Sequence, residues 1–543
     1  MTLAERLKKV MKGEVYDDAH TLALASRDAS LFEVKPQVVA APRDSADVQA
    51  LVKFVTEHKS EHLSLTPRSG ATDMSGGPLN ESIIVDVAKH LNRLKEIGQD
   101  SAVTEPGLFY RDFEKETLKH GLLLPSYPAS REICTVGGMA ANNAGGEKTL
   151  TYGQTKEYVQ ALKVVLADGK EYDVKPLSAD ELQVKMGQQD FEGQVYRETH
   201  KLIEDNYDFI REHKPHVSKN SAGYFLWDVW DRETFDLTRI FSGSQGTLGI
   251  ITEIRFKLIK PKQHSKLLVI FLKDLEPLAD VVAGVMPFKP ESFESYDDKT
   301  LKLALRFLPA FLKLLGGNLI SLAWRFLPEF FMVLRGGIPK LILLAEFTGD
   351  TVQEVDEKAY AAQRAVRPLG VDMRVTRTEA EAQKYWTIRR ESFNLLRHHI
   401  KGKRTAPFID DMVVRPEHLS KFLPRLEKML EPYHLLYSVA GHVGDGNFHI
   451  IPLIDSNSST IQKIIPELSR KVYDLILEFH GSITGEHNDG LIRSPFLAQM
   501  YGDKMYGLFE RVKHIFDPDN IFNPGKKVGA SFEYAMAHLA QKS

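Results

Sequence analysis

The chain has 543 residues, a formal net charge of −3 and one cysteine, Cys134. The near-balance of charge gives no global field for nucleic acid, and a single thiol excludes a disulfide framework, a cysteine-based zinc site and an iron–sulfur cluster within this chain. The length suits two or three domains with sizeable cores.

Met1 to Gly13 is charged and amphipathic and lacks the apolar core of a secretory leader. No uninterrupted apolar run is long enough to span a bilayer. Val34 to His58 begins as extended chain and turns helical from Ser45, where Val48, Leu51, Val52 and Val55 repeat at helical spacing. Leu63 to Leu65 reads as a short buried strand. It runs into Thr66-Pro67-Arg68-Ser69-Gly70-Ala71-Thr72-Asp73-Met74-Ser75-Gly76-Gly77. A strand followed by small residues lets backbone approach a diphosphate closely enough to donate several N–H bonds. It is neither a Walker loop nor a GxGxxG fingerprint, and a plain surface loop is the alternative.

Ile83 to Val87 and Val103 to Gly107 are further short extended pieces. A second small-residue run, Thr135 to Gly146, follows, with Gly137, Gly138, Asn142, Ala144, Gly145 and Gly146 in it. Few cores need so many positions without side chains, whereas a flat or phosphorylated ligand does. Gln160 to Ala167 is a strand turned by Asp168-Gly169. A third glycine-spaced run, Gly243 to Glu253, enters a strand at Ile250 and carries Ile251 and Glu253.

Lys299 to Lys340 holds an imperfect repeat of Arg-Phe-Leu-Pro, an apolar helix-sized run and Gly-Gly. Apolar, aromatic and cationic residues together describe a helical hairpin on an anionic membrane surface. An ordinary helix pair of the core or a dimer interface is the alternative. Ile342 to Phe347 resumes a strand and Val352 to Val366 a helix, in a ferredoxin-like alternation.

Gly441 to His449, reading GHVGDGNFH, is a strand, a tight turn and a strand. A hairpin centred on Gly444-Asp445-Gly446-Asn447 sets His442 opposite His449 on one face. Two imidazoles and a carboxylate make a divalent-metal site with room for substrate. Glu486, in the echo GEHNDG at Gly485 to Gly490, is the carboxylate chosen, and His487 beside it is a free base. The alternative is that both histidines cap a polar turn. Met505, Leu508, Phe509, Val512 and Ile515 form a last helix returning to the first domain.

Together the three small-residue runs resemble the flavin-binding domain of the FAD-linked oxidase superfamily related to vanillyl-alcohol oxidase and p-cresol methylhydroxylase. GHVGDGNFH, GEHNDG and the ending from Phe516 to Lys526 resemble its D-2-hydroxy-acid dehydrogenase branch, which holds D-lactate, glycolate and D-2-hydroxyglutarate dehydrogenases. The resemblance implies an α+β chain: a two-part FAD-binding domain at 1–265 and 501–543, and a ferredoxin-like cap at 266–500 with the 299–340 insertion.

It implies that Pro67, Arg68, Ser69, Gly70, Ala71, Thr72, Ser75, Gly76 and Gly77 wrap the FAD diphosphate. Thr135, Gly137, Gly138, Asn142, Ala144, Gly145 and Gly146 would line the flavin and ribityl chain, with Ile251, Glu253 and Asn523 near the adenine or ring. His442, His449 and Glu486 would hold a divalent metal, zinc foremost with manganese or iron as alternatives. His487 would be the base, and Arg389 would hold the substrate carboxylate. Asp73 departs from the family glycine and would repel a diphosphate unless it points away. Asn488 stands where glycine is usual. No histidine lies in the first two loops, so FAD is expected to be noncovalent. The expected reaction is oxidation of a D-2-hydroxy acid, D-lactate foremost, with electrons passed to a membrane quinone or an electron-transfer protein. The expected location is peripheral, on the cytoplasmic side of a membrane, or otherwise cytoplasmic, with an oligomer left open. A transferase like alkylglycerone-phosphate synthase shares the fold, but its run of consecutive histidines has no counterpart here.

Overall fold

Val38–Ala41, Ile83–Asp86 and Leu65–Arg68 are short, and the first two are largely apolar and buried almost throughout, as suits parallel strands covered on both faces. With Glu14–Tyr16 they form a sheet in the order Glu14–Tyr16, Val38–Ala41, Ile83–Asp86, Leu65–Arg68. The helix Ser45–Glu57 packs Val48, Leu51, Val52 and Val55 into the same core. Its N-cap is Asp44, which accepts from the Asp47 amide, one residue before the expected start at Ser45. This computed structural model describes residues 1–306, 337–399, 403–455 and 461–540.

A second sheet has five antiparallel strands in the order Leu94–Ile97, Ser101–Thr104, Ile250–Lys257, Val159–Val165, Glu171–Val174. The segment after the helix Leu497–Phe516 comes back to the first sheet. There Leu65 N donates to Ile521 O at 2.7 Å and Asn523 N to Leu65 O at 2.9 Å.

The third sheet follows the alternation strand, helix, strand, strand, helix, strand. The strand His264–Leu272 leads to the helix Leu278–Val285 and the strand Ser292–Asp297. The strand Leu341–Gly349 leads to the helix Val352–Val366 and the strand Asp372–Val375. In space the order is Asp372–Val375, His264–Leu272, Leu341–Gly349, Ser292–Asp297, then the hairpin Leu436–His442 and Asn447–Asp455, then Lys403–Thr405. One face carries Leu268, Ile270, Leu343, Ala345 and Phe347 into a core shared with the two helices. The other face carries Leu267, Val269, Ile342 and Leu344 against Tyr385, Trp386 and Ile388 of the helix Glu379–His399. The expected membrane-associating insertion enters between Ser292–Asp297 and Leu341–Gly349. The helix Asp298–Arg306 begins it, and its centre, 307–336, lies outside the described residues. Among the described residues no helix is long and apolar enough to cross a membrane.

The hairpin register differs from expectation. His442 pairs with Asn447 and Ala440 with His449, so the turn is Val443 to Gly446, one residue earlier. Asn447 is drawn into the ladder because its amide donates to Asp411 Oδ1 at 3.0 Å and to Met412 O at 3.2 Å. Gly446 takes the positive φ, 68°, and a Cβ there would lie 1.7 Å from Val414 O. Two-residue periodicity still puts both histidines on one face. They are diagonal neighbours, with ring centroids 5.3 Å apart.

Candidate functional site

Three loops build a cleft. Pro67 to Asp73 comes off the first sheet, Thr135 to Asn142 opens the helix Val136–Asn142, and Gln245 to Ile251 enters the second sheet. Its glycines are bare backbone by necessity. A Cβ on Gly70 would lie 2.7 Å from Ile133 O, one on Gly137 2.5 Å from Pro106 O, and one on Gly246 2.2 Å from Pro67 Cγ. Ala71 holds φ 53°, the conformation for which glycine is the usual residue.

Of the expected flavin residues, Pro67, Arg68, Ser69, Gly70, Ala71, Thr72, Gly77, Thr135, Gly137, Gly138, Asn142 and Ile251 line this cleft. Arg68 turns its guanidinium to the carbonyls of Leu24, Ala25 and Arg27. Asp73, the expected source of repulsion, is turned into its own loop. It accepts from Ser75 N, Gly77 N and Asn142 Nδ2 at 3.1, 2.7 and 2.9 Å. Ser75 is buried behind the cleft, next to Gly76, and Glu253 pairs with Lys95 at 2.7 Å on the second sheet. Asn523 is fully buried. It donates to Gly77 O and Gln245 O at 2.9 and 2.7 Å, tying two loops together. The rest of the second run, Ala144 to Gly146, leads from the cleft to the histidine cluster. A Cβ on Gly145 would lie 3.1 Å from Glu486 Oε2.

In that cluster, Glu486 Oε1 lies 3.1 Å from His442 Nε2 and 3.3 Å from His449 Nε2. Donors bonded at about 2.1 Å to one tetrahedral ion lie about 3.4 Å apart, so this spacing fits a divalent metal. His487 stacks on His449 with centroids 4.9 Å apart. The outer nitrogen of each ring faces a carboxylate: His442 Nδ1 on Glu294 Oε1 at 2.5 Å, His449 Nδ1 on Asp410 Oδ1 at 3.2 Å, His487 Nδ1 on Asp410 Oδ2 at 2.8 Å. This is the usual second layer of a metal-binding histidine, and with an ion on Nε2 it would fix the tautomer. Asp410 orients the His487 ring through Nδ1. Asp411, His449, Glu486 and His487 also offer ligand atoms within 4.8 Å of one another. Asp411, however, accepts from the amides of Glu486 and His487 at 2.9 and 2.7 Å, which fixes the loop rather than freeing an oxygen.

Burial opposes ionisation of Glu486, but Lys219 and His442 hold its carboxyl well below the usual range. Burial likewise opposes protonation of His449, yet its bonds to Asp410 and Glu486 push its pKa up to about 10. Arg389 Nη2 lies 3.0 Å from Glu294 Oε2, so Glu294 joins Arg389 and His442. The helix Glu379–His399 thus brings Arg389 to the cluster. Glu294, Asp410, Asp411 and Lys219 were not singled out from sequence. Two adjacent acids inside the apolar stretch Phe408 to Val414 were the available signal for Asp410 and Asp411.

Similar proteins bear on both halves of the site. Among solved structures, p-cresol methylhydroxylase aligns with TM-score 0.69 at 16% identity, covering 96% of each chain, and an alkyldihydroxyacetonephosphate synthase aligns with TM-score 0.65 at 15%, covering 96% of this chain and 85% of the other. At that identity the fold is what is shared: a flavin-binding fold of p-cresol methylhydroxylase type. The family description "FAD binding domain" matches residues 36–175, and "FAD linked oxidases, C-terminal domain" matches 261–527. The chain belongs to the FAD-linked oxidase family. A D-2-hydroxyglutarate dehydrogenase of Pseudomonas putida is 28% identical over 95% of this chain and 50% of its own length. The glycolate oxidase subunit GlcD of Bacillus subtilis is 27% identical over 96% of both chains. A D-lactate dehydrogenase of Anaerostipes hadrus is 27% identical over 96% of this chain and 94% of its own. The chain spans about half the length of the D-2-hydroxyglutarate dehydrogenases it matches.

Proposed function

We propose that this chain is an FAD-dependent dehydrogenase that oxidises a D-2-hydroxy acid to the 2-oxo acid, with D-lactate the first substrate to test. The observation that carries this reading is the cluster itself. Three imidazoles with carboxylate-held outer nitrogens and Glu486 converge beside Gly145, with Arg389 joined to them through Glu294. FAD, held without a covalent bond, would supply the hydride acceptor, and a divalent ion, zinc foremost, would supply Lewis acidity at the hydroxyl. His442, His449 and Glu486 would hold the ion. Arg389 presents a planar fork to the substrate carboxylate, and Glu294 sets its angle.

His487 takes the hydroxyl proton at Nε2 while its Nδ1–H stays on Asp410. Burial works against the charged form of His487, but Asp411 and Asp410 raise its pKa in the metal-free balance of charges. An ion held by His442, His449 and Glu486 would oppose that protonation by repulsion, in keeping with a role for His487 as base. Residues 1–265 with 501–543 form the FAD-binding unit in this reading, and 266–500 the cap. The acceptor is a quinone or an electron-transfer protein, since the single cysteine leaves no cluster in this chain to carry electrons onward.

The test is anaerobic bleaching of the purified protein's flavin absorbance by a panel of D- and L-2-hydroxy acids. Rapid bleaching by D-lactate, D-2-hydroxyglutarate or glycolate supports the reading and selects the substrate. Silence toward all of them, in protein loaded with FAD and metal, overturns it.

A further inference from the structure

Lys219 is fully buried, and the proposed chemistry does not use it. Its Nζ lies 3.3 Å from Glu486 Oε2, 3.3 Å from Asp445 Oδ2 and 3.3 Å from Gly146 O. Those atoms belong to the metal carboxylate, the hairpin turn and the small-residue run that leads from the cleft. Neighbouring residues stitch the same pieces. Ser218 Oγ donates to Asp445 O at 2.9 Å, and Ser221 Oγ donates to Gly485 O at 2.8 Å. Gln154 Nε2 also donates to Gly485 O, at 2.9 Å, and Gln154 Oε1 accepts from Asn220 N at 3.2 Å.

Taking an ammonium out of water costs several kcal/mol, so a buried lysine needs a reason that an apolar side chain of similar size would not meet. Here the reason is the division of labour on Glu486. Oε1 faces both histidine nitrogens, and Oε2 faces Lys219. We propose that Lys219 is a positioning residue that restricts Glu486 to one-oxygen ligation and locks that carboxylate to the loop beside the flavin cleft. A carboxylate with both oxygens free can chelate an ion and fill one more coordination position. With Oε2 engaged, that position stays open for a substrate that offers hydroxyl and carboxylate oxygens together. The inference rests on reading the cluster as a metal site.

The experiment uses FAD-loaded protein, stripped of metal and reloaded with cobalt(II): wild type, Lys219→Met and Lys219→Arg. Lys219→Met should keep its FAD and bind one equivalent of cobalt, with visible bands that weaken and shift as coordination number rises. Its KM for D-lactate should rise about tenfold with a smaller change in kcat. Lys219→Arg, which keeps the cation, should restore most of the wild-type spectrum. Should Lys219→Met lose FAD or melting cooperativity, Lys219→Leu, which also lacks both charge and donor, is read in the same way. Wild-type cobalt bands and KM in the uncharged variant overturn the inference while the metal reading stands. A wild type that takes up no cobalt overturns both.

Discussion

His487 Nδ1 lies 2.8 Å from Asp410 Oδ2, and the other oxygen of that carboxylate reaches His449 Nδ1 at 3.2 Å. One buried side chain therefore sets the tautomer of the proposed base and of a proposed metal ligand together. Asp410→Asn keeps the volume but offers one acceptor where two ring N–H groups need one each. The expected result is a loss of about 10–100-fold in metal affinity or activity, at near-normal FAD content. Elemental analysis after dialysis and the rate of flavin bleaching check it. Normal values for both would place the tautomer control elsewhere.

Glu294 predicts a second coupling. It holds His442 Nδ1 through one oxygen and Arg389 through the other. Glu294→Gln can satisfy at most one of them with an acceptor, so metal affinity and substrate KM should both worsen. Arg389→Met should raise KM and leave metal content unchanged. Equilibrium dialysis against zinc, run beside substrate titration, separates the two variants.

The pH dependence of stability gives a third test, away from the metal cluster. Burial raises the pKa of Glu346 from 4.5 to about 7, and Glu147 and Glu291 add to it, against smaller opposing effects of Lys148 and Arg390. The folded state then holds a proton that the unfolded state has released, so stability falls as pH rises from about 4.5 to about 7 and levels off above. Glu346→Gln removes this loss. It should melt a few degrees higher than wild type at pH 8 and match it near pH 4.5, as read by calorimetry at both values. Equal melting differences at the two pH values would count against the shifted carboxyl.

How much of this was legible in the chain depends on what each signal measures. The small-residue runs were readable because a missing side chain is itself written in the sequence, and twelve of the expected residues do line one cleft. Arg389 and Glu486 were reachable through motif resemblance. Glu294 was not, because an acid in the strand Ser292–Asp297 looks like any solvent-facing residue until the helix Glu379–His399 covers that face. The hairpin register slipped by one because turn propensity favoured Asn447 in the turn, whereas its tertiary bonds to Asp411 and Met412 pull it into the strand. Propensity is local and those bonds are not.

Gly446 turns that difference into a prediction. Its φ is 68°, and an added Cβ would come within 1.7 Å of Val414 O, which leaves no room for alanine. Gly446→Ala should cost about 1–3 kcal/mol from strained backbone alone, and more from displacing the strand Met412–Val413. The companion signature is reduced metal stoichiometry, since the turn sets the spacing of His442 and His449. Thermal melting and metal analysis on the same sample would show both. A variant as stable as wild type would mean that the turn can rearrange.

Asn488 carries the last prediction. Sequence offered it only as a tolerable replacement for glycine, and its φ of 66° agrees with that. Its side chain does more. Nδ2 donates to Asn142 O at 3.1 Å and to Gly243 O at 2.9 Å, one on the helix Val136–Asn142 and one at the mouth of the third run. The residue after the proposed base is thus tied to two walls of the cleft region. Asn488→Gly keeps the backbone conformation and removes both ties, at about 1–2 kcal/mol in all. If the asparagine matters only for φ, the glycine variant should match wild type in FAD retention and turnover. If the ties align base and flavin, it should lose FAD faster on dilution and bleach more slowly. Asn488→Ala should then be worse again, because it loses the bonds and must also hold a positive φ. Fluorescence of released FAD and stopped-flow bleaching across the three proteins distinguish backbone tolerance from side-chain tethering.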